Sequence, residues 1–227
     1  MFSSPLNLDP PPGFLGLDPN KPIRRYIRHL PHWRQDGATY AITFRLADSL
    51  PQEVLEMIRS MRREWESKHL EPRSEAAWED YAKSVANRVN EWLDQGAGEC
   101  HFKNPIFANE LARSILHFQN EQYHVASYVV MPNHCHLIMR PFSGFQLEEL
   151  VKAIKDVTSR FVNRALRRKG ELWQQESFDR IVRDELHLYQ AIQYIGNNPR
   201  MVGLPESLWF RWVDPAWEAV HWGFRDP

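Results

Sequence analysis

Four side chains in this sequence have the types and spacing for metal-assisted phosphate chemistry. His134 and His136 stand two apart in the run MPNHCHLIMRP. On a strand, residues at i and i+2 share a face. The two imidazoles therefore project side by side, as a pair of ligands for one divalent ion would. Cys135 points the other way, toward the apolar side with Leu137 and Met139, as a small buried residue. Sixty residues on, LYQAIQYIGNNP carries Tyr194 and Asn198 four apart, on one face of a helix. An amide oxygen suits a hard cation such as Mg²⁺, and a phenol beside a metal-bound phosphodiester is a competent nucleophile. Each motif alone has a plainer reading. Two strand histidines can face solvent or a helix, Tyr194 can be helix core, and Asn198 can cap a helix before Pro199.

The elements that must position these groups are legible from periodicity. ATYAITFRLADSLP alternates, with Tyr40, Ile42, Phe44 and Leu46 on one face of a first strand. Helices are expected over Gln52 to His69, Ser74 to Gln95 and Ile106 to Gln119. Tyr123 to Val130 and His134 to Arg140 form a hairpin through a tight turn at Pro132-Asn133. Leu147 to Lys169 reads as a long amphipathic helix, Leu172 to Val182 as a last strand, and Asp184 to Asn198 as a helix stopped by Pro199. This order is an α+β fold: a ferredoxin-like β-α-β-β-α-β antiparallel sheet with helices on one face. An inserted helical stretch occupies 51–104. Six prolines in residues 1–22 make that segment a flexible proline-rich leader, with Phe14, Leu15 and Leu17 available to dock. Residues 23–204 form the catalytic domain and 205–227 a Trp-rich tail.

Charge is distributed unevenly. The formal net charge of the 227 residues is −1, which excludes a chain basic throughout but not a locally basic face. Residues 152–169 hold Lys152, Lys155, Arg160, Arg164, Arg167, Arg168 and Lys169 against a single acid, Asp156. Such a run is either a solvated face or a track for a phosphate backbone. Arg24, Arg25 and Arg28, with His29, His32, Trp33 and Arg34, make a second basic and aromatic cluster suited to single-stranded or hairpin DNA, or a structured arm with Trp33 buried. Residues 51–80 are acidic, with eight Asp/Glu against five Lys/Arg. The total thus reads as a cancellation, with a positive face beside Tyr194 and an acidic wall away from DNA. Two cysteines, Cys100 and Cys135, are too few for a disulfide framework and fit a reducing, cytoplasmic setting. No apolar run spans a membrane.

MPNHCHLIMRP followed by LWQQESFDRIVRDELHLYQAIQYIGNNPRMVGL resembles the REP-associated tyrosine transposases, relatives of the single-tyrosine HUH transposases, and GATYAITFRLADSLP resembles their first strand. The resemblance covers roughly residues 23–204, with 51–104 longer than in compact members. It implies an enzyme that cuts and rejoins single-stranded DNA near hairpin-forming repeats through a 5′-phosphotyrosine. By position, His134 and His136 match the HUH histidines, Tyr194 the catalytic tyrosine and Asn198 the third ligand of Mg²⁺ or Mn²⁺. The family includes dimers and proteins that act alone, so a monomer or a homodimer is implied, in the cytoplasm and nucleoid-associated. Gly196, between nucleophile and ligand, is expected to weaken the helix. Two other functions remain open: a domesticated hairpin-binding protein that does not cleave, and a nucleotide phosphohydrolase using His-x-His.

Overall fold

The computed structural model describes residues 6–28 and 31–225. Residues 1–5 of the leader and His29 lie outside the described residues. A central antiparallel sheet is built from β3 (Tyr40–Arg45), β4 (Tyr123–Val130), β5 (His134–Pro141), β6 (Phe178–Ile181) and β7 (Phe210–Val213). Their spatial order is β6-β3-β5-β4-β7. The first four strands in this order are the split βαβ expected from the sequence, and β7 extends the sheet beside β4. Before it, β1 (Arg24–Ile27) and β2 (Pro31–Arg34) form a separate two-stranded hairpin.

The two crossover helices lie on one face, as expected. Helix α3 (Pro105–Leu116) leads into β4, and α4 (Leu147–Ala165) leads from β5 toward β6. Asn104 caps α3 by accepting from the Ile106 amide, with Pro105 in the first turn where its missing N–H costs nothing. Phe107, Leu111 and Ile115 recur at fours, so one stripe of α3 meets Tyr40, Ile42, Phe44, Cys135, Leu137 and Met139 from the sheet. A bulge between Val125 and Ser127 reverses the phase of β4. Tyr123 and Val125 before it, and Tyr128 and Val130 after it, all face this core.

The other face is covered too, and this extends the expected arrangement. Helix α5 (Glu185–Met201), started by an Asp184 side chain that accepts from the His187 amide, buries Leu188, Ile192 and Ile195 against Val129, Ile138 and Val182. Trp217, in the short α6 (Pro215–Glu218), and Trp222 complete this second core. Their indole N–H groups donate to the Pro12 and Asp9 carbonyls, at 2.9 and 2.8 Å. The described part of the leader is therefore packed down by the tail. Leu17 donates its amide to the Val182 carbonyl, and Thr39 donates to the Leu15 carbonyl.

The inserted stretch is two helices, α1 (Gln52–Lys68) and α2 (Glu75–Leu93). Leu50, Val54 and Leu93 form their small core, with Trp65 packed on Trp78 and Tyr81. Three boundaries differ from the sequence reading. Helix α4 stops at Ala165, so Arg167, Arg168 and Lys169 leave its helical face, and Arg167 turns left-handed at φ 51°. The strand expected over 172–182 shrinks to Phe178–Ile181, with one bridge from Trp173 to Leu46. Helix α5 passes through Pro199 to Met201. Proline there breaks only the bond to the Ile195 carbonyl, one turn from the end.

Candidate active site

The histidine face of β5 lies under α5. Its residues pair with β3 so that His136 stands opposite Thr43 and His134 opposite Arg45. His134 and His136 are buried, and their Nε2 atoms are 3.1 Å apart. Asn198, 2 % exposed, approaches from α5 with its amide nitrogen 3.3 Å from His136 Nε2. The three groups that the sequence proposed as ligands are thus one cluster. Cys135 faces the opposite core, as its position on the strand requires.

Each imidazole is oriented by its other nitrogen. His134 Nδ1 meets Asn133 Oδ1 at 2.8 Å, and His136 Nδ1 meets Thr43 Oγ1 at 2.8 Å. A hydrogen on each Nδ1 leaves each Nε2 as a lone pair, which is how ligating histidines are held. Burial, with His136 alongside, holds His134 well below the ordinary imidazole pKa, and burial brings His136 down to about 4. Both rings are neutral near pH 7 and available as donors. Asn198 Oδ1 is buried and has no hydrogen-bond partner. Such an orphaned acceptor is costly; the amide nitrogen is the atom toward His136, and with the amide turned over an ion held by the two imidazoles would satisfy the oxygen. The donor set therefore fits a divalent cation. Among the described residues no group of three or more His, Cys, Asp or Glu is placed to hold a metal; the set here is two imidazoles and an amide.

Tyr194 stands over this cluster, 42 % exposed, its ring 6.0 Å from the His136 ring. The phenol oxygen accepts from Asn90 Nδ2 at 3.1 Å, a residue of α2. Burial and the Asp94 carboxylate push the Tyr194 phenol above its ordinary pKa, against hydrogen bonds from Asn90 and Asn198. Tyr189, the other tyrosine of α5, packs instead against Trp222 in the second core.

Sequence reasoning missed Asn133, Thr43 and Asn90. Asn133 was read as a turn residue, yet its side chain also donates to the Leu93 and Ala97 carbonyls at the end of α2, at 3.2 and 3.0 Å. Thr43 carried a usable signal: Ala41, Thr43 and Arg45 are the less apolar face of an alternating strand, and that face turned out to border the histidines. For Asn90 there was none, since only the fold brings α2 to α5. The insertion is accordingly part of the site and not a distant acidic wall.

The basic residues lie elsewhere. Helix α4 packs on the sheet face away from the histidines. The expected positive face beside Tyr194 is therefore not formed by α4, because the apolar stripe of that helix belongs to the other core. Lys152, Arg160, Arg164 and Arg167 are exposed. Lys155 is buried, donating to the Gln175 carbonyl at 3.0 Å and to Ser177 Oγ at 3.1 Å, and burial lowers it to about 8. Arg168 contacts His101 Nε2 at 2.7 Å. Arg24, Arg25 and Arg28 are exposed on the β1-β2 hairpin and line a broad groove together with Lys152 and Lys155.

The sheet thus brings a buried imidazole pair under a tyrosine-bearing helix. Residues 101–198 match the model of the family described as "Transposase IS200 like". That span includes His134, His136, Tyr194 and Asn198. A solved structure of a REP-associated tyrosine transposase bound to a REP hairpin is similar over 80 % of this chain and 75 % of that chain, at 14 % identity and a TM-score of 0.42. No curated protein matches the chain. No described helix is long and apolar enough to cross a membrane.

Proposed function

We propose that this protein is a metal-dependent endonuclease and strand transferase for single-stranded DNA, with Tyr194 as nucleophile and hairpin DNA as its substrate. The reading rests on one observation: two buried imidazoles and the Asn198 side chain converge beside the ring of Tyr194. His134, His136 and Asn198 would hold Mg²⁺ or Mn²⁺, which supplies Lewis-acid polarisation of a phosphate oxygen when bound. Tyr194 Oη attacks phosphorus as its proton leaves, and the bond to the 3′-oxygen breaks. A 5′-phosphotyrosine and a 3′-hydroxyl result. Because the phosphotyrosine conserves the bond energy, a 3′-hydroxyl can reverse the step without ATP. Asn90 and Asn198 both hydrogen-bond the phenol in the sense that favours its ionised form.

The test is a denaturing gel of labelled hairpin oligonucleotides with and without divalent metal. Tyr194→Phe is expected to abolish the covalent protein–DNA adduct and leave hairpin binding intact, while Tyr189→Phe keeps the adduct. Adducts that survive in Tyr194→Phe would move the nucleophile. Binding without any adduct, at every metal tried, would make the protein a non-cleaving hairpin binder.

A further inference from the structure

Helices α1 and α2 enclose a cavity of about 230 Å³ against β3 and the segment before β6. Its walls include Leu55, Ile58, Val85, Val89 and Leu93. Three polar side chains, Thr43, Asn90 and Gln174, also line it, and Arg45 and Arg59 add positive charge. Arg45 is half-buried and brought down to about 10 by desolvation, so it remains a cation at neutral pH. Two of the polar lining residues hold the catalytic groups: Thr43 contacts His136 Nδ1, and Asn90 donates to Tyr194 Oη. The cavity therefore borders the reacting centre directly.

We infer that this cavity binds one unpaired nucleobase of the DNA strand, next to the phosphate that Tyr194 attacks. Size, chemistry and position agree. The volume lies below the roughly 300–1,000 Å³ of pockets for drug-sized molecules and well above the ~30 Å³ share of a single water, which suits a planar heterocycle. Apolar walls take its faces, amide and hydroxyl groups meet its edge, and the arginines meet the attached phosphate. The approach is also continuous. Gln174 and Glu176 line both this cavity and the broad groove that carries Arg24, Arg25, Arg28 and Lys152. A strand lying in the basic groove on one side of the sheet reaches the catalytic side by rounding the β6 edge at these two residues. This resolves the separation of the basic helix from Tyr194. The inference rests on the proposed nucleophile for its biological sense, but the cavity can be tested without cleavage.

The experiment uses a DNA hairpin with single-stranded thymidine flanks, in which 5-iodouracil replaces one thymine at a time. Photo-crosslinked peptides are mapped by mass spectrometry in the full chain and in Tyr194→Phe. One flank position is expected to crosslink to the α2 peptide containing Tyr81, which lines the cavity, in both proteins. Ile58→Trp, which fills the cavity, and Arg59→Glu, on its exposed rim, should each lower that crosslink by roughly tenfold, as for a lost base contact. If Ile58→Trp loses its circular dichroism signal, Arg59→Glu decides. Crosslinks confined to the β1-β2 hairpin and α4, or a Tyr81 crosslink unchanged in the folded variants, would overturn the inference. A Tyr81 crosslink without any covalent adduct keeps the cavity and removes the nucleophile assignment. An adduct without that crosslink does the reverse.

Discussion

Asn133 is a turn residue by composition and a hinge pin by contact. Its amide oxygen orients His134, while its amide nitrogen ties the turn to the last turn of α2. Removing it frees the His134 imidazole to rotate and unties the turn from the Leu93 and Ala97 carbonyls, of which the first keeps the Gly96 amide. Asn133→Ala is expected to lower Mn²⁺ affinity by about 10–100-fold, measured by calorimetric titration, and to cost about 1–3 kcal/mol of stability. Asp, which keeps the oxygen facing His134 but not the donor, should recover more metal affinity than stability. The side-by-side placement of the two imidazoles was legible from spacing, because strand geometry puts both rings of His-x-His on one face. Its supports were not, because hydrogen bonds such as Thr43 to His136 follow from register between strands more than ninety residues apart.

At the scale of elements, periodicity located β3, β4, β5 and most helices to within a few residues. Failures came where tertiary packing overrode local rules. Helix α5 continues past Pro199 because Pro199, Ile195 and Asn198 are all buried in the packed face. Gly196, expected to loosen the helix, instead seats an aromatic ring: a Cβ there would stand 2.2 Å from the Phe224 ring. The leader shows the same override. A Cβ on Gly16 would meet the Arg183 carbonyl oxygen at 2.4 Å, and that contact is backbone, unable to turn aside. Gly16→Ala should therefore lift the leader from β6 at a cost of roughly 1–3 kcal/mol. Urea unfolding would report the loss, and limited proteolysis should show new cleavage within residues 9–17. An unchanged midpoint would mean that the leader contributes nothing to stability.

For the whole molecule, the β1-β2 hairpin is bolted to the body by buried charge. His32 lies between Asp179 and Glu176, at 2.9 and 2.8 Å, and Arg34 forms an ion pair with Asp179. Desolvation opposes the His32 cation, but the two carboxylates prevail and raise it to about 9. A raised value in the folded state means that the stabilisation is complete below about pH 6.5, the unfolded value, and disappears as pH rises through 9. The thermal midpoint should fall across pH 6.5 to 9, and His32→Gln should flatten that slope. Asp179→Ala takes one carboxylate from both cations, leaving His32 with Glu176 and Arg34 with Glu148, and should cost about 1–3 kcal/mol, read from denaturant unfolding. Sequence inspection saw this segment as a basic arm, since the acids that neutralise it lie about 145 residues downstream.

Trp217 and Trp222 clasp the Asp9–Pro12 backbone from more than two hundred positions away, and Trp222 also backs Tyr189 on α5. Synthesis runs from the N-terminus, and early segments fold as they emerge. The helix that carries Tyr194 therefore lacks its final backing until the tryptophan segment has left the ribosome. The order of synthesis thus makes the tryptophan segment a late clasp: the cluster of His134, His136, Tyr194 and Asn198 gains its last support only after residues 217 and 222 have been made.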